Sequence, residues 1–571
     1  MKKIVFLAIY ISNIVAAQQT LIENITIVDV ENGRVQKAKN VLIKNGLIDK
    51  ITAKTISKTS EITVIDGTSK FLMPGMMDAH IHFFQTGSLY TRPDAIDLQK
   101  IRSYDDEIKF ADSLVQDSFN RYLALGITSV MDMGGPFWNF RVRDTLAKRS
   151  VAPNILVTGP LFSPYQPDAF STLDDFPIAE ISTKEEATAL FEKMLPYNPD
   201  YIKIWYVASK ELPAEKTYPV VAHISKLAHD NNLKLTVHAT DLNTAKLAVR
   251  AGADILVHSV RDTLIDQNFI KDLKRNNITY IPTLMVSKNY GRTFLGEPSN
   301  HSQDLSYGNS QVYRTLTDMQ GLDSTQIPSF IPQFKKTRDT YFTRLEKRDS
   351  IMYANLEQLA ESKVNIATGT DAGNIGTLHA SSYLQELELM KKAGLTNAEI
   401  LKASTFNVAK GFGMSDTYGT VKEGKIADLI ILNENPLENL NTVSKPDVVF
   451  RNGNLLNPDE LLKESPENLV QRQVNAYNAQ DIDQFMNTYA DDIKIYDFPN
   501  TLRLEGKEKL RETFDKMFKK VTNLYCKIEN RSVLGNKVVD REHVRFGDKY
   551  SDVIAVYEIE NGKIAKVTFI R

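Results

Sequence analysis

The sequence predicts an α/β protein organised around a (β/α)₈ barrel, and two observations favour this fold class. Eight apolar strand candidates alternate with helical stretches, and each is a near-continuous apolar run, as expected of parallel strands covered on both faces. Side chains that can bind a metal recur where these candidates end, as in barrel enzymes. A doubly wound sheet is the alternative, but strand count and ligand spread favour closure. The candidates are Leu72–His82, Ile127–Met133, Ile155–Gly159, Tyr201–Val207, Leu235–Thr240, Ile255–Val260, Thr279–Val286 and Val364–Asp371.

The N-terminus has the pattern of a targeting segment. Lys2 and Lys3 precede a short apolar stretch, and Val15-Ala16-Ala17 offers a small-residue cleavage site. This predicts a signal peptide over residues 1–17 and an exported protein, periplasmic or secreted. The short apolar stretch disfavours the alternative, a membrane anchor. Cys526 is the only cysteine, so no intrachain disulfide can form.

Length and charge limit the remaining classes. A chain of 571 residues is too long for one hydrophobic core, so two or more domains are expected. The 69 basic and 71 acidic residues nearly balance, which gives no support for nucleic-acid binding.

Short strands with tight turns flank the predicted barrel on both sides. In residues 18–70, Lys44-Asn45-Gly46 separates two strand candidates, and Asn-Gly suits a two-residue hairpin. Residues 415–461 repeat this rhythm of short strands and Gly turns. We therefore predict that 18–70 and 415–461 form one composite β-sandwich beside a barrel spanning 71–414.

Two connections within the barrel are long enough to be lids or binding loops over its C-terminal mouth. They are Phe83–Tyr122 and Ser287–Lys363; the second contains a Gly/Asn/Ser-rich part, Tyr290–Ser310, and a helical part, Lys336–Ala360. Side chains in these loops that could bind a polar group of a substrate are Tyr90, Arg92, Tyr290, Arg292 and Tyr313.

The order of helical and strand patterns in residues 462–571 predicts a separate α+β domain. Leu462–Glu467 has the composition of a linker. Helices are expected over Gln471–Gln480, Ile482–Ala490 and Lys507–Lys520, a strand over Ile493–Tyr496, and alternating strands after Val521.

The candidate site begins with His80 and His82, which lie on the same face of one strand because side chains alternate. His238, His258 and Asp371 end three further strand candidates. The chain has nine histidines, and four of them occupy strand ends of this kind. This concentration favours metal ligation over buried structural histidines.

Lys203 lies inside an apolar strand, where a charged amine is costly unless it is paired or neutralised. Two interpretations stay open from spacing alone. The amine reaches the barrel mouth or a carboxylate, or it has reacted with CO₂ to give a carbamate that can bridge two metals.

This ordered set resembles the binuclear metal-dependent amidohydrolase superfamily, in particular its imidazolonepropionase and Xaa-Pro dipeptidase-like branch. The resemblance covers about residues 20–457. Its supporting stretches are Pro74–His82, Thr368–Gly373, Ala403–Ala409 and Gly424–Leu429.

The resemblance implies an enzyme that hydrolyses a C–N bond of an amide, a cyclic amide or a dipeptide, and the N-terminal segment predicts that this enzyme is exported. It implies two divalent metal ions, expected to be Zn²⁺, with a bridging hydroxide and a carboxylated Lys203. His80, His82 and Asp371 would hold one ion, and His238 and His258 the other. Asp371 would also be catalytic, moving a proton from the attacking oxygen to the leaving nitrogen.

Two rivals remain. In a mononuclear deaminase-like site, Lys203 would be an ordinary lysine and His258 a catalytic or structural residue. In a small-molecule binding protein, the barrel would have lost turnover.

The C-terminal domain resembles the SnoaL-like, NTF2-like cone in the stretches Ala476–Asp481, Asp491–Ile493 and Glu560–Ile564. The resemblance implies pairing through an open sheet face, so a homo-oligomer is expected, with ligand binding as a second role. The apolar candidates for that face are Tyr525, Val544, Phe546, Val556 and Phe569; candidates for a pocket are Asp497, Asp540 and His543.

Overall fold

The computed structural model describes residues 19–149, 151–297 and 302–571. The predicted signal peptide lies outside these residues. None of the helices in the described residues has both the length and the apolar composition needed to cross a membrane.

Strands and helices follow in chain order. The N-terminal strands are β1 (Gln19–Asp29), β2 (Arg34–Lys44), β3 (Leu47–Thr52), β4 (Ile62–Asp66) and β5 (Phe71–Pro74). The central strands are β6 (Met76–Ile81), β7 (Ile127–Asp132), β8 (Asn154–Val157), β9 (Leu161–Ser163), β10 (Ile178–Glu180), β11 (Ile202–Trp205), β12 (Leu235–His238), β13 (Ile255–Val257), β14 (Thr279–Ile281) and β15 (Asn365–Ile366). The strands that follow are β16 (Leu429–Leu432), β17 (Val448–Arg451) and β18 (Asn454–Leu456).

Helices of the central part are α1 (Tyr104–Ala124), α2 (Trp138–Arg141), α3 (Ala147–Arg149), α4 (Lys184–Met194), α5 (Ala214–Asp230), α6 (Leu242–Ala251), α7 (Gln267–Arg275), α8 (Val286–Phe294), α9 (Ser302–Tyr307), α10 (Ser310–Thr315), α11 (Ile331–Lys336), α12 (Arg338–Glu361), α13 (Ser381–Lys392), α14 (Asn397–Ala403) and α15 (Phe406–Gly411). The C-terminal part contains α16 (Pro458–Leu461), α17 (Pro466–Asn478), α18 (Ile482–Asn487), β19 (Tyr489–Asp497), β20 (Thr501–Glu505), α19 (Lys507–Lys520), β21 (Tyr525–Leu534), β22 (Lys537–Phe546), β23 (Lys549–Glu560) and β24 (Lys563–Ile570).

One eight-stranded sheet contains strands from both sides of the central part, in the order β18-β17-β16-β5-β1-β2-β3, with β4 paired to β1. The predicted hairpin joins β2 to β3, and Asn45 and Gly46 have φ values of 53° and 79°, as a two-residue turn of this kind requires. Some apolar residues of this sheet, such as Ile22, Val41 and Leu429, form a cluster of their own, whereas others, such as Met73 and Ile430, pack into the core of the central part.

The first predicted barrel strand, Leu72–His82, is divided into two. β5 pairs antiparallel with β16, and β6 pairs parallel with β7. At the division, Gly75 N donates to Asp428 O (2.8 Å), and a Cβ on Gly75 would lie 2.2 Å from Thr128 Oγ1. Only glycine allows the chain to pass from one sheet to the other at this contact.

The central parallel strands lie in two sheets, β6-β7-β8 and β10-β9-β11-β12-β13-β14-β15. Strands β11 to β15 neighbour one another in sequence order, without the reversal of a doubly wound sheet. Backbone hydrogen bonds connect the two sheets on both sides. Asp200 N donates to Val157 O (2.9 Å) on one side, and Ala79 N to Thr368 O (2.9 Å), Asp371 N to His80 O (2.7 Å) and His82 N to Ala372 O (2.8 Å) on the other. Strand pairing alone therefore forms two sheets where the sequence predicts one closed sheet.

The long connection after β14 is more helical than predicted. Tyr290–Ser310, expected as a Gly/Asn/Ser-rich loop, includes the end of α8, α9 and the start of α10. The expected helix over Lys336–Ala360 corresponds to α12.

The C-terminal domain has its own apolar core, between α17, α18, α19 and a six-stranded sheet of order β20-β19-β24-β23-β22-β21. Two corrections concern its surface. Leu462–Glu467 is not a free linker, because Ser465 caps α17 and Glu464 pairs with Arg472. Val544 and Phe569 line the cavity inside the domain and Tyr525 is buried, so these three are not outer-face residues, whereas Phe546 lines the same cavity but is 37% exposed.

The pocket residues expected from the sequence, Asp497, Asp540 and His543, do not line this cavity. Asp540 is fully buried and paired with Arg531 (2.6 Å), and His543 pairs with Asp552 (2.7 Å) near the surface.

Candidate metal centre

His80 in β6 and His82, the residue that directly follows the strand, lie beside each other in the same buried region. His80 is 1% exposed and His82 8%. His82 Nδ1 lies 2.7 Å from Gly134 O, and a carbonyl oxygen can only accept, so Nδ1 carries the proton. The lone pair of His82 is then on Nε2, which faces His80 Nε2 at 3.3 Å. Such a backbone partner is the usual way in which a metal-binding imidazole is oriented.

Asp371 completes a triangle with these two rings. Its Oδ1 lies 3.2 Å from His80 Nε2 and 3.0 Å from His82 Nε2. A tetrahedral ion with bonds of about 2.0–2.1 Å separates its ligand atoms by about 3.3 Å. The three atoms are therefore spaced as the ligands of one small divalent cation, and the residues present fit a metal.

His238 and His258 lie on the other side of His80. Their ring centroids are 4.4 Å apart, and those of His80 and His258 are 5.0 Å apart. His258 Nδ1 lies 2.7 Å from Thr283 Oγ1. One ligand atom each from His80, His258 and Asp371 falls within 4.8 Å of the others, so the two halves of the set are continuous.

The backbone at two of these positions is strained. His258 has φ 73° and Asp371 has φ 60°, in the left-handed region that disfavours side chains. Such conformations cost about 1–3 kcal/mol each and concentrate at functional sites.

Lys203 is 2% exposed, and its Nζ has no hydrogen-bond partner among the described residues. It lies on β11, where Trp205, two residues further on, pairs with His238 of β12. Burial lowers the pKa of Lys203 to about 7, although Asp371 opposes the shift. Burial likewise lowers the pKa of His80 to about 3, so this imidazole is neutral and able to bind a metal.

All six predicted ligands line one cavity of about 210 Å³. They are His80, His82, Lys203, His238, His258 and Asp371. Of the five loop residues expected near a substrate, Arg92 and Tyr290 line this cavity, whereas Tyr90, Arg292 and Tyr313 do not. Tyr90 instead donates to Asp318 (2.9 Å).

Sequence reasoning missed further cavity residues, among them Trp205 and Arg261. Trp205 lies two residues after Lys203 on the same strand, so both side chains are on the same face, and this alternation could have placed Trp205 at the site. Arg261 follows His258 by three residues and forms no ion pair with a carboxylate in the described part of the chain; its guanidinium donates to Ser287 Oγ (3.2 Å). Arg92, in contrast, is held by Asp94, Asn374 and Tyr290.

Buried carboxylates behind the ligands were also missed. Asp132 accepts hydrogen bonds from Phe83 N (2.8 Å), Asn139 Nδ2 (2.7 Å) and Gly134 N (3.2 Å), and so fixes the carbonyl that orients His82. Asp78 accepts from Thr370 Oγ1 (2.7 Å) and joins β6 to the segment that ends in Asp371.

Comparison with known proteins gives matches for both parts of the chain. Residues 71–456 match the amidohydrolase family and residues 470–567 the SnoaL-like domain. A 5'-deoxyadenosine deaminase of Methanosphaera stadtmanae is 24% identical over 473 residues, covering 77% of this chain and 94% of that protein.

Solved structures share the fold. A Xaa-Pro dipeptidase with bound methionine has a TM-score of 0.58 at 22% identity, covering 77% of this chain and all of that one (100%). A putative prolidase from Bifidobacterium longum has a TM-score of 0.57 at 22% identity, covering 78% of this chain and 98% of that one. At these identities the structures show a common fold and no more.

Proposed function

The chain belongs to the amidohydrolase family and is a hydrolase acting on carbon–nitrogen bonds, and from this premise we propose that it cleaves an amide, a cyclic amide or a dipeptide at a centre of two divalent metal ions, expected to be Zn²⁺. One observation carries the proposal. Six metal-competent side chains, which lie on the central strands or in the segments that follow them, line one cavity, and the buried Nζ of Lys203 has no hydrogen-bond partner among the described residues.

In this proposal His80, His82 and Asp371 hold one ion, and His238 and His258 hold the other. The spacing of the first three atoms supports this division. Lys203 would bridge the two ions as a carbamate: its neutral amine adds to the carbon of CO₂, an N–C bond forms, and one proton is released. Burial without a partner supports this role, because it keeps much of the amine neutral at pH 7.

Metal ions in such a site would supply Lewis acidity that activates water and polarises the scissile carbonyl. The chain's own contributions are orientation and proton transfer. The hydrogen bond to Gly134 O holds His82 in one tautomer. Among the described residues that line the cavity, Asp371 is the only carboxylate; its Oδ2, which is not the atom facing His80 and His82, would accept a proton and return it to the leaving nitrogen.

Arg261 indicates the substrate class. It is a half-buried guanidinium facing the cavity with no carboxylate at ion-pairing distance in the described chain, and Arg348 adds positive potential. A substrate carboxylate would supply the missing partner through charge-assisted hydrogen bonds. We therefore propose a substrate that bears a carboxylate, such as an N-acylated amino acid or a dipeptide.

The finer points of architecture belong to the same proposal. We propose that the two central sheets act as one (β/α)₈ barrel over residues 71–414, with the shared sheet as a composite sandwich. Export through residues 1–17 and homo-oligomerisation also remain proposals.

The rival with one metal has a specific observation in its favour, the similarity to a deaminase over most of the chain. Elemental analysis of purified protein separates the two: two ions per chain support the proposal, and one supports the deaminase-like site. A protein with two ions that cleaves nothing in a broad amide, dipeptide and lactam panel would support the binding-protein alternative.

Ligand variants test the site itself. We expect alanine substitution of His80 or His258 to reduce activity by orders of magnitude and to lower bound metal. His229→Ala is the matched control, because His229 is a surface residue paired with Asp254. Wild-type turnover in the His80 or His258 variant would remove that residue from the site.

A further inference from the structure

One wall of the metal-centre cavity is apolar. Leu161 of β9, Ile178 of β10 and Trp205 of β11 all line the cavity. The three strands are neighbours in one sheet, in the order β10-β9-β11. The same three residues belong to one hydrophobic cluster, together with Tyr104 and Phe170. We call Leu161, Ile178 and Trp205 the apolar wall.

Aromatic surface of this wall is accessible from the cavity. Trp205 is only partly buried, and its ring meets that of His238 edge-on, with centroids 6.1 Å apart and planes at 83°. A second aromatic residue, Tyr165, lies on the segment between β9 and β10; it is 49% exposed, and its ring centroid is 6.5 Å from that of Trp205. An apolar ligand group placed against these rings would bury them, which is favourable.

Strand order relates the wall to the residues of the proposed reaction. Three strands separate β11, which carries Trp205, from β15, which Asp371 follows. Arg261 follows the strand midway between them, β13, and two strand spacings are about 10 Å. Asp371 returns a proton to the leaving nitrogen in that reaction, so the amine half of the substrate lies on its side. The acyl half then extends away from Asp371, toward the apolar wall.

We propose that the apolar wall binds the acyl half of the substrate, and that this half carries a large apolar group such as a phenyl ring or a branched alkyl chain. The carboxylate at Arg261 then belongs to the amine half. The substrate class is an amino acid that is N-acylated by a large apolar acid, including dipeptides with an aromatic or branched first residue. Hydrolysis adds water across the C–N bond and releases the apolar carboxylic acid and the free amino acid. This inference rests on the hydrolytic function proposed above.

A pair of substrates tests the acyl preference. The N-(3-phenylpropanoyl) and N-acetyl derivatives of one amino acid differ only in the acyl group. We expect kcat/KM to be about 30- to 100-fold higher for the 3-phenylpropanoyl member, because the wall buries its phenyl ring. The ratio should be similar for different amino acids, which lie on the other side of the metal centre. A ratio near one would overturn this inference and leave the proposed hydrolase function intact.

The two tryptophans of the chain provide matched variants. Trp205→Ala should lower the ratio about tenfold, and Trp205→Phe, which keeps an aromatic ring, should restore most of it. Trp138→Ala is the control, because Trp138 is partly buried on α2 and lies outside the metal-centre cavity; it should keep the wild-type ratio. An unchanged ratio in Trp205→Ala, or an equal loss for both substrates, would overturn the assignment of the wall.

Binding of the acyl product separates this inference from hydrolysis itself. 3-Phenylpropanoate carries the apolar group but has no amide bond to cleave. Isothermal titration calorimetry on the metal-loaded full chain should give a Kd about 30- to 100-fold lower than for propanoate, and Trp205→Ala should remove most of this difference. If the difference is present but no amide is hydrolysed, the hydrolase function alone is wrong. If the difference is absent or independent of Trp205, the apolar wall is not the acyl site.

A surface variant covers the case in which Trp205→Ala fails to fold, which thermal unfolding detects. Tyr165→Ala changes an exposed side chain beside Trp205. It should lower the ratio of the two kcat/KM values about threefold, because one side of the bound phenyl ring becomes open to water. A wild-type ratio in this variant would then overturn the inference.

Discussion

Lys203→Met separates a functional lysine from a structural one, because the two effects that we expect have opposite signs. Methionine keeps the length and apolar character of the side chain but removes the amine. If Lys203 bridges two metal ions, the variant should lose metal and nearly all activity. If Nζ is buried without a partner, the same variant should be more stable than wild type when both are free of metal and CO₂.

The magnitude follows from the pKa. The amine falls from an ordinary 10.5 to about 7 in the folded chain, so between these values the unfolded state binds more protons. The stability of metal-free wild type therefore decreases as pH falls, by about 1.4 kcal/mol per pH unit. At pH 7 the variant should exceed wild type by up to about 5 kcal/mol, and at pH 10.5 the difference should vanish.

Chemical denaturation of chelator-treated protein at several pH values measures this difference, and elemental analysis and hydrolysis assays measure the rest. Lys234→Met is the matched control, because Lys234 is half buried but donates to Gly411 O (2.7 Å). A Lys203→Met protein that retains two metal ions and full rate would refute the bridging role. If the metal-free Lys203→Met protein is no more stable than wild type at pH 7, the conclusion that the Lys203 amine is buried without a partner is wrong.

Two further predictions concern a charged group at the metal-centre cavity, Arg261, and a buried carboxyl group in the C-terminal domain, Glu542. Arg261→Gln should lower kcat/KM about 10- to 100-fold for substrates with a free carboxylate and little for their amide-capped forms, and an equal loss for both would contradict carboxylate recognition. Burial raises the pKa of Glu542 from 4.5 to about 7, so wild-type stability should fall as pH rises through this range. Glu542→Gln should remove this loss of stability, with a gain of up to about 3 kcal/mol above pH 7 and none below pH 4.5. The exposed control, Glu560→Gln, should show no such gain. A gain in Glu542→Gln that does not depend on pH would exclude burial of the carboxylate as its cause.

Sequence reasoning located the metal-competent residues because strand ends are visible in an apolar pattern. His238 and His258 each follow a short apolar run, and the cavity contains both. The pattern could not locate Gly75 as the division between two sheets, because the contact with Thr128 is between residues distant in sequence. It also could not give the extent of the last strand, since β15 is only Asn365–Ile366 and the following residues are held by single hydrogen bonds.

Residues that act through long-range pairing were out of reach for the same reason. Arg92 and Arg261 are both arginines that line the metal-centre cavity, and nothing in the neighbouring sequence distinguishes them. Only the structure shows that Asp94 and Asn374 hold Arg92, whereas Arg261 pairs with no carboxylate in the part of the chain that the structure describes. The sheet of the C-terminal domain gave the same difficulty, because alternation identifies two faces without showing which one encloses a cavity.

The segment predicted as a linker, Leu462–Glu467, connects the C-terminal domain to the central part through ion pairs, and these contacts would be lost on removal of residues 463–571. Glu464 lies between two arginines, Arg472 of α17 and Arg121 of α1, the latter at 3.7 Å. Arg472 also donates to the carbonyl oxygens of Leu305 and Gly308, on the connection after β14. The C-terminal domain is therefore fixed to the same connection whose first helix, α8, reaches the metal cavity through Tyr290.

A chain that ends at Leu462 should keep both metal ions and measurable hydrolysis, because every proposed ligand lies in the central part. It should form smaller oligomers, as expected if the domain mediates association, which size-exclusion chromatography with light scattering measures. Amide exchange should rise in α9 and α10, since the carbonyls of Leu305 and Gly308 lose their charged donor. Arg472→Ala in the full chain should raise exchange in the same helices and leave the oligomer intact. An unchanged oligomer in the shortened chain would exclude the association role, and a soluble, metal-loaded but inactive one would mean that the domain positions α8 over the metal centre.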